Sequence, residues 1–279
     1  MTNKVDLHIH TTISDGLSTP GEVLEIACSK QLSAIAICDH DNYAGYFTAT
    51  EQRHKNDPEV IPGVELSTGK GGEDIHILGY LFDPYSEKFI RALQEFRDTR
   101  NKRGEKMLKK LKAMGMDISM DLVKEIAGDS AIGRPTVADA MVRSGVIKSF
   151  DEAFAKYIGL DGPAYVPKQN LSPKEAIELI HAAGGLAFLA HPGVARAYQY
   201  IHEFVGYGLD GLEVYHPYHN SKMKKYLNKT AEEMSLLRCG GSDYHGRDRH
   251  HGMVGSQPVP GDWLVEMKNR HNQKSRGNN

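Results

Sequence analysis

Short apolar segments that alternate with helix signals constrain the fold of this chain most strongly. Seven segments have the length and apolar content of buried strands, and they cover residues 5–10, 34–38, 60–66, 75–82, 186–190, 211–215 and 236–239. Thr19 and Glu22 form a capping-box signal for the helix after the first strand, and Ser172 and Glu175 repeat it before the fifth. This alternation predicts parallel strands and an α/β class.

Residues 87–172 interrupt the alternation. They predict consecutive helices over roughly 87–114, 119–127, 134–144 and 150–157. We expect this segment to be a helical insertion between the fourth and fifth strands that roofs the mouth of a barrel. The predicted organisation is a discontinuous barrel domain (1–86 and 173–268), the insertion subdomain (87–172) and a flexible polar tail (269–279).

The charge balance and the cysteines narrow the class of protein. The chain has 34 basic and 36 acidic side chains, so no overall field demands nucleic acid or a membrane as partner. No apolar run approaches the length of a membrane span, and no signal peptide is expected before the first strand. Three cysteines in apolar contexts predict reduced thiols and a cytoplasmic location. No obligate protein partner is indicated.

The first predicted strand contains two histidines at alternate positions, His8 and His10. In a strand, residues two apart lie on the same face, so both imidazoles point one way with Asp6. Taken alone, this pair is better explained by an alternating edge strand than by a metal site.

Similar residues lie at or near the ends of the other apolar runs. The nine candidate metal ligands are His8, His10, Asp15, His40, Glu65, His76, His191, Asp243 and His245. Each has an ordinary explanation by itself, such as a hydrogen-bonded core histidine or a polar strand exit. Because they belong to different strands, their joint occurrence predicts a multinuclear metal site at the carboxyl ends of the strands.

The motifs that carry these residues resemble the PHP (polymerase and histidinol phosphatase) family of metal-dependent phosphoesterases. They are Asp6-Leu7-His8-Ile9-His10, Asp15-Gly16, Asp39-His40, Gly63-Val64-Glu65, His191-Pro192 and Ser242-Asp243-Tyr244-His245. The insertion, with Ile132-Gly133-Arg134-Pro135, is similar to the stand-alone bacterial branch that acts on nucleoside 3′,5′-bisphosphates and short oligonucleotides. The resemblance implies a distorted seven-stranded (β/α)7 barrel.

The resemblance also implies two to three divalent metal ions. It assigns the first metal to His8, His10, Glu65 and Asp243. It assigns the second to Asp15, His40 and His245, and the third to Glu65, His76 and His191. Mixed imidazole and carboxylate ligands suit Mn²⁺, Fe²⁺ or Zn²⁺ without selecting one of them. A metal-bound hydroxide is the expected attacking species.

Three further residues are candidates for contact with substrate. Arg134 could form a forked contact with a phosphate, although a surface arginine at a helix start is an equal alternative. His216 ends the sixth strand and could protonate the leaving oxygen. Lys168 could reach a phosphate, but a solvated lysine is the ordinary expectation. A basic run over residues 97–112 is better explained as a solvated helix face than as a nucleic-acid contact.

The expected function is therefore hydrolysis of phosphate from nucleotide-like substrates. One alternative is a histidinol-phosphate phosphatase, against which the arginine-bearing insertion argues. A second is an amidohydrolase-type barrel, which the pairs Asp39-His40 and Asp243-x-His245 fit poorly. A third is a non-catalytic metal-binding module, which the complete ligand set disfavours.

Overall fold

The computed structural model describes residues 4–128, 132–167, 171–246 and 252–277. Within these ranges, the strands are β1 (Lys4–Ile9), β2 (Ala34–Ile37), β3 (Glu59–Lys70), β4 (Glu73–Tyr80), β5 (Leu186–Leu189), β6 (Gly211–Tyr215), β7 (Leu237–Gly240) and β8 (Val259–Pro260). The α-helices are α1 (Pro20–Ser29), α2 (Ala44–Gln52), α3 (Glu87–Ala113), α4 (Met120–Ala127), α5 (Arg134–Arg143), α6 (Phe150–Ala153), α7 (Pro173–Ala182), α8 (Ile201–Gly206), α9 (Ser221–Glu233) and α10 (Gly261–Gly277). A π-helical turn covers Phe154–Ile158, and a 3₁₀ segment covers Val194–Tyr200.

The strands form one mixed sheet in the order β7-β6-β5-β4-β3-β2-β1-β8. The segment after β7 returns to β1, where the backbone N–H of His10 donates to the carbonyl of Tyr244 at 2.9 Å and the N–H of Asp243 donates to His8 at 2.8 Å. These bonds curl the sheet into a nearly closed barrel, which confirms the predicted fold class.

Side-chain alternation in β1 decides what faces the barrel interior. Ile9 is fully buried in an apolar cluster with Val23 and Ala27 of α1, outside the sheet. Because alternate residues of a strand point to opposite faces, His8 and His10 point into the barrel. The same strand therefore supplies the outer core and the interior polar groups.

Two features of the sheet differ from the sequence prediction. β4 is antiparallel to both β3 and β5, because Gly71 and Gly72 adopt φ values of 61° and 88° and form a tight hairpin turn that returns the chain directly. An eighth strand, β8, pairs antiparallel with β1. It has only two residues, one of them Pro260, and therefore lacks a strand pattern.

The chain divides into two compact units, Met1–Ile90 with Asn170–Asn279 and Arg91–Gln169. The second unit contains most of α3 and all of α4–α6, and its own core includes Met107, Val123 and Met141. Within this unit, two residues of the predicted basic face bind backbone carbonyls: Arg103 donates to Val166 and Lys110 donates to Tyr165. The expectation that this unit lies over the mouth of the barrel remains a prediction.

The C-terminal segment is helical, and its predicted flexibility remains a prediction. α10 continues through Gly277, so most of the expected flexible tail is helical, and Lys274 pairs with the buried carboxylate of Asp210. Within the described ranges, no helix combines the length and apolar character that crossing a membrane requires.

Candidate metal centre

The loop after β1 folds tightly back on the strand and brings Asp15 towards the histidines. A β-carbon at Gly16 would lie 2.7 Å from the carbonyl carbon of His10, so the backbone approaches too closely for any other residue. Leu17 N–H then donates to the carbonyl of His245 at 2.8 Å. The loop thereby joins the ends of β1 and β7 on one side of the barrel.

Glu65 lies at the centre of the candidate site. This carboxylate is fully buried within β3, and both of its oxygens face imidazole nitrogens. Its Oε2 lies 3.1 Å from Nε2 of His10, 3.4 Å from Nε2 of His8 and 3.2 Å from Nδ1 of His40. Its Oε1 lies 2.9 Å from Nδ1 of His76 and 2.9 Å from Nε2 of His191. Five imidazoles thus surround one carboxylate.

His76 reaches this position because β4 is antiparallel. It pairs in register with Ser67, two residues beyond Glu65, in the part of β3 that continues past the predicted strand end. Glu65 therefore does not end its strand, contrary to the sequence expectation, and His76 lies inside its strand as expected. The hairpin, rather than a strand terminus, brings the two side chains together.

Two further carboxylates complete the cluster. Asp243 Oδ1 lies 3.4 Å from Nε2 of His8 and 3.2 Å from Nε2 of His10. Asp15 Oδ1 lies 3.2 Å from Nε2 of His245. The structure thus brings all nine predicted ligand-type residues into one cluster, although their role as ligands remains a prediction.

Three groups of these side chains have donor atoms close enough to share an ion, each within 4.8 Å. They are His8 with His10 and Asp243; His10 with Asp15, His40 and His245; and His40 with Glu65 and His76. Compared with the predicted grouping, His10 also joins the second group and His40 also joins the third. Glu65 is absent from the first group, and His191, which contacts Glu65, belongs to none of the three.

The donor atoms in these groups are better placed to bind a metal than to form hydrogen bonds with one another. Nδ1 of His40 is buried and has no hydrogen-bond partner within the part of the chain that the structure describes, even though Glu65 Oε2 lies 3.2 Å away. Nε2 of His8 and Nε2 of His10 face each other at 3.1 Å. Converging imidazole and carboxylate donors without thiolates fit divalent Mn, Fe or Zn.

Burial and charge shift the pKa values of the cluster. Burial alone lowers the pKa of His10, but contacts with Asp243 and Glu65 raise it to about 10. Burial lowers the pKa of His40 to about 3, because the nearby carboxylates offset only part of the desolvation. The Glu65 carboxyl has a pKa held well below its usual range by His76, His40 and His8, despite its burial. These carboxylates therefore favour positive charge beside them.

The backbone is strained at two of the predicted ligands. His191 and Asp243 adopt positive φ values of 28° and 49°, which are unusual for residues with side chains. Beyond His191, the N–H of Gly193 donates to Nε2 of His219, whose Nδ1–H donates to the carbonyl of Val214. These bonds hold the turn that carries His191. Buried His219 consequently has a structural role that its sequence context did not reveal.

Sequence reasoning missed Glu213. This carboxylate lies fully buried in β6, where Oε1 contacts Nδ1 of His8 at 2.9 Å and Oε2 accepts the backbone N–H of His191 at 2.7 Å. The available signal was an acidic residue in the middle of an apolar strand, because a buried carboxylate needs partners.

Asp6 and Asp39 belong to the recognised motifs, but neither carboxylate belongs to the three groups of side chains that could bind a metal. Asp6 accepts the backbone N–H groups of Ser242 and Gly255 at 2.9 and 2.7 Å. Asp39 accepts hydrogen bonds from Thr11 and Ser14. Both carboxylates therefore fix the loops that carry the candidate ligands.

The three predicted substrate residues differ in position. His216 Nε2 lies 3.2 Å from Asp243 Oδ2, and His216 Nδ1 accepts the N–H of Tyr218, so the neutral ring carries its proton on Nε2. Arg134 begins α5 and lies over the rings of Phe154 and Tyr165, at 5.7 and 5.9 Å from their centroids. Lys168 lies outside the described residues.

The cluster opens into a cleft of about 250 Å³. Apart from the candidate ligands, its walls include His216, Val194 and Tyr218. Tyr218 is 57% exposed and Val194 is 38% exposed, so the rim offers apolar surface next to a charged floor. The cleft can therefore hold an anionic group at its base and an apolar group at its edge.

Comparison with known proteins gives a consistent result. The PHP domain family profile matches residues 6–235. A 5′-3′ exoribonuclease from Haemophilus influenzae is 34% identical over 250 residues, which cover 88% of this chain and 91% of that protein. A 3′,5′-nucleoside bisphosphate phosphatase from Chromobacterium violaceum is 31% identical over 258 residues, covering 88% and 90%.

A solved structure has the same fold. The crystal structure of a Bifidobacterium adolescentis protein, provisionally described as a metal-dependent phosphoesterase, superimposes with a TM-score of 0.83 and 30% sequence identity. The alignment covers 97% of each chain. The similarity therefore extends over nearly the whole chain, on both sides of the predicted insertion.

Proposed function

Because this chain belongs to the PHP family of metal-dependent phosphoesterases, we propose that it hydrolyses phosphate from nucleotide-like substrates. The substrate class is a nucleoside 3′,5′-bisphosphate or the end of a short oligonucleotide. The curated relatives named as a bisphosphate phosphatase and an exoribonuclease support this choice.

The observation that carries the proposal is the position of Glu65 among five imidazoles. Its two oxygens face different sets of nitrogens, His8, His10 and His40 on one side and His76 and His191 on the other. A carboxylate with this arrangement can bridge two cations. When bound, paired divalent metals would activate water near neutral pH and neutralise charge on the phosphoryl oxygens.

We propose that two to three divalent ions occupy the three groups of donors. The three geometric groups support this number, and the mixed nitrogen and oxygen donors support Mn²⁺, Fe²⁺ or Zn²⁺. Asp15 is the most exposed of the donors, with 48% of its side chain accessible. The group containing Asp15 is therefore the one from which a metal should exchange most readily.

His216 is proposed to act on the leaving group. Its ring lines the cleft and carries its proton on Nε2, beside Asp243. In the neutral form, Nε2–H orients the Asp243 carboxylate. To act as a general acid the ring must first be protonated, and the imidazolium then gives its Nε2 proton to the departing oxygen and becomes neutral. Arg134 and Lys168 remain proposed phosphate contacts, for which the family resemblance is the support.

A substrate panel tests this function. Purified protein with Mn²⁺ should release phosphate from nucleoside 3′,5′-bisphosphates and 5′-phosphorylated short oligoribonucleotides at rates well above those for histidinol phosphate. Faster turnover of histidinol phosphate would instead support the alternative phosphatase. Metal binding without release from any phosphate ester would support a non-catalytic module.

The three free thiols also support the proposed cytoplasmic location.

A further inference from the structure

We propose that an aromatic ridge beside the cleft binds the nucleotides of a single-stranded oligonucleotide that lie beyond the reacting end. The aromatic ridge consists of Tyr198, Lys222 and Tyr226. This inference rests on the proposed function of the cleft and specifies its substrate further. It predicts that the protein prefers an oligonucleotide over a mononucleotide.

The ridge begins where the cleft ends. Val194 lines the cleft, and the 3₁₀ segment that starts at this residue runs beside α9. At one end, a β-carbon on Gly193 would lie 3.3 Å from Cγ of Met223. Further along, the rings of Tyr198 and Tyr226 meet edge-to-face with centroids 6.0 Å apart. The two contacts show that the segment and the first turns of α9 leave the cleft side by side.

The exposed face of α9 combines aromatic and basic groups. Lys222 and Tyr226 are four residues apart and so lie on the same helix face, and Tyr226 is 45% exposed. Lys229 continues this face, but it pairs with Glu233 at 3.4 Å. Positive charge is therefore concentrated around Lys222, at the end of α9 nearest the cleft. The neighbouring 3₁₀ segment adds Arg196 and contains no acidic residue.

Single-stranded nucleic acid fits this surface. Proteins that bind single strands combine aromatic rings, on which bases stack, with cations that follow the backbone. The cleft of about 250 Å³ has room for a phosphorylated end but not for several nucleotides. A longer strand must leave over the rim, where Tyr218 and Val194 are exposed, and the ridge continues from there.

The experiment compares two substrates in matched variants. One is a nucleoside 3′,5′-bisphosphate, and the other is a fluorescent 5′-phosphorylated octaribonucleotide with slowly hydrolysed phosphorothioate linkages, whose binding is followed by anisotropy with Mn²⁺ present. Tyr226→Ala should weaken octanucleotide binding about tenfold, the scale of one lost stacking contact. Lys222→Gln should reduce the salt dependence of log Kd by about one. The controls are Tyr85→Ala, at an exposed position of the β4–α3 connection, and Lys174→Gln, at an exposed position of α7.

The outcomes separate the ridge from the proposed function. The inference is supported if the ridge variants lose octanucleotide affinity, the controls do not, and turnover of the bisphosphate is unchanged. It is overturned if the ridge variants bind the octanucleotide like the wild type, or if both substrates are affected equally. If no nucleotide is hydrolysed but octanucleotide binding still depends on the ridge, the proposed function is rejected and the proposed role of the ridge in binding is retained.

Discussion

Glu213 Oε1 lies 2.9 Å from Nδ1 of His8, and the other oxygen of the same carboxylate accepts the backbone N–H of His191. When Nδ1–H of His8 donates to Glu213, the lone pair of Nε2 points towards His10 and Asp243. One buried carboxylate thus fixes the tautomer of one candidate ligand and the backbone of another.

Glu213→Gln should weaken metal binding by about 10- to 100-fold, the usual effect of removing a carboxylate that orients a ligand histidine. Affinity is measured by competition with a chromogenic chelator, and the His8 tautomer by ¹⁵N NMR. Asp210→Asn is a matched control, because Asp210 is also a buried carboxylate but bonds His181 and Ala187 instead. Unchanged affinity and tautomer in Glu213→Gln would reject this role.

Asp243→Asn and His10→Ala should lose metal and activity while the fold survives. Both side chains belong to donor groups in the cleft, and the loss of a ligand should exceed the roughly 100-fold upper effect of an orienting group. Bound metal is measured by mass spectrometry, activity by phosphate release, and folding by circular dichroism. A variant that keeps stoichiometric metal and full activity would remove its residue from the ligand set.

Asp210 should contribute to stability in a pH-dependent manner. Although burial opposes it, contacts with His181 and Lys274 lower the pKa of Asp210 below its usual value. Its contribution is therefore present above the unfolded pKa of about 3.9 and is lost as the pH falls through the lower folded pKa. At pH 7, Asp210→Asn should cost about 2 kcal/mol, allowing for the exposure of Lys274.

Urea unfolding of the wild type and Asp210→Asn, both freed of metal, measures this difference. The gap between the two free energies of unfolding should be larger at pH 7 than at acid pH and should narrow below about pH 4. A gap that widens towards acid pH would contradict the assigned direction of the shift.

Arg134→Ala should impair the use of doubly phosphorylated nucleotides by about 2–4 kcal/mol in transition-state terms, if Arg134 binds the second phosphate. A small phosphomonoester should be affected much less. The measurement is the ratio of the two losses in kcat/KM, with Tm as a control because Arg134 also lies over Phe154 and Tyr165. Equal losses would indicate a contact with the reacting phosphate, and no loss would indicate a structural arginine.

Much of the fold follows from local signals in the sequence. The capping boxes at Thr19 and Ser172 begin α1 and α7 as expected, and both have the reciprocal hydrogen bonds of that motif. The reversal of β4 was also encoded, by Gly71-Gly72, but strand–helix alternation elsewhere favoured a parallel interpretation. β8 could not be predicted, because two residues carry no periodicity.

The candidate site was likewise predictable from the sequence only in part. His8 and Asp243 were found because they follow or interrupt apolar runs, whereas Glu213 was read only as part of a strand. Its partners, His8 and His191, are 205 and 22 residues away in the chain. The pairing of β5 with β6 brings His191 to Glu213, and the closure of the barrel brings His8 to it. A single sequence reports neither pairing. The borders between donor groups depend on the same closure.

The most direct test of the central claim is phosphate release from a nucleoside 3′,5′-bisphosphate before and after removal of metal. The account predicts that dialysis against a chelator abolishes release and that added Mn²⁺, Fe²⁺ or Zn²⁺ restores it, since the carboxylates and imidazoles around Glu65 are arranged to hold cations. Undiminished hydrolysis by protein shown by mass spectrometry to be free of metal would contradict it.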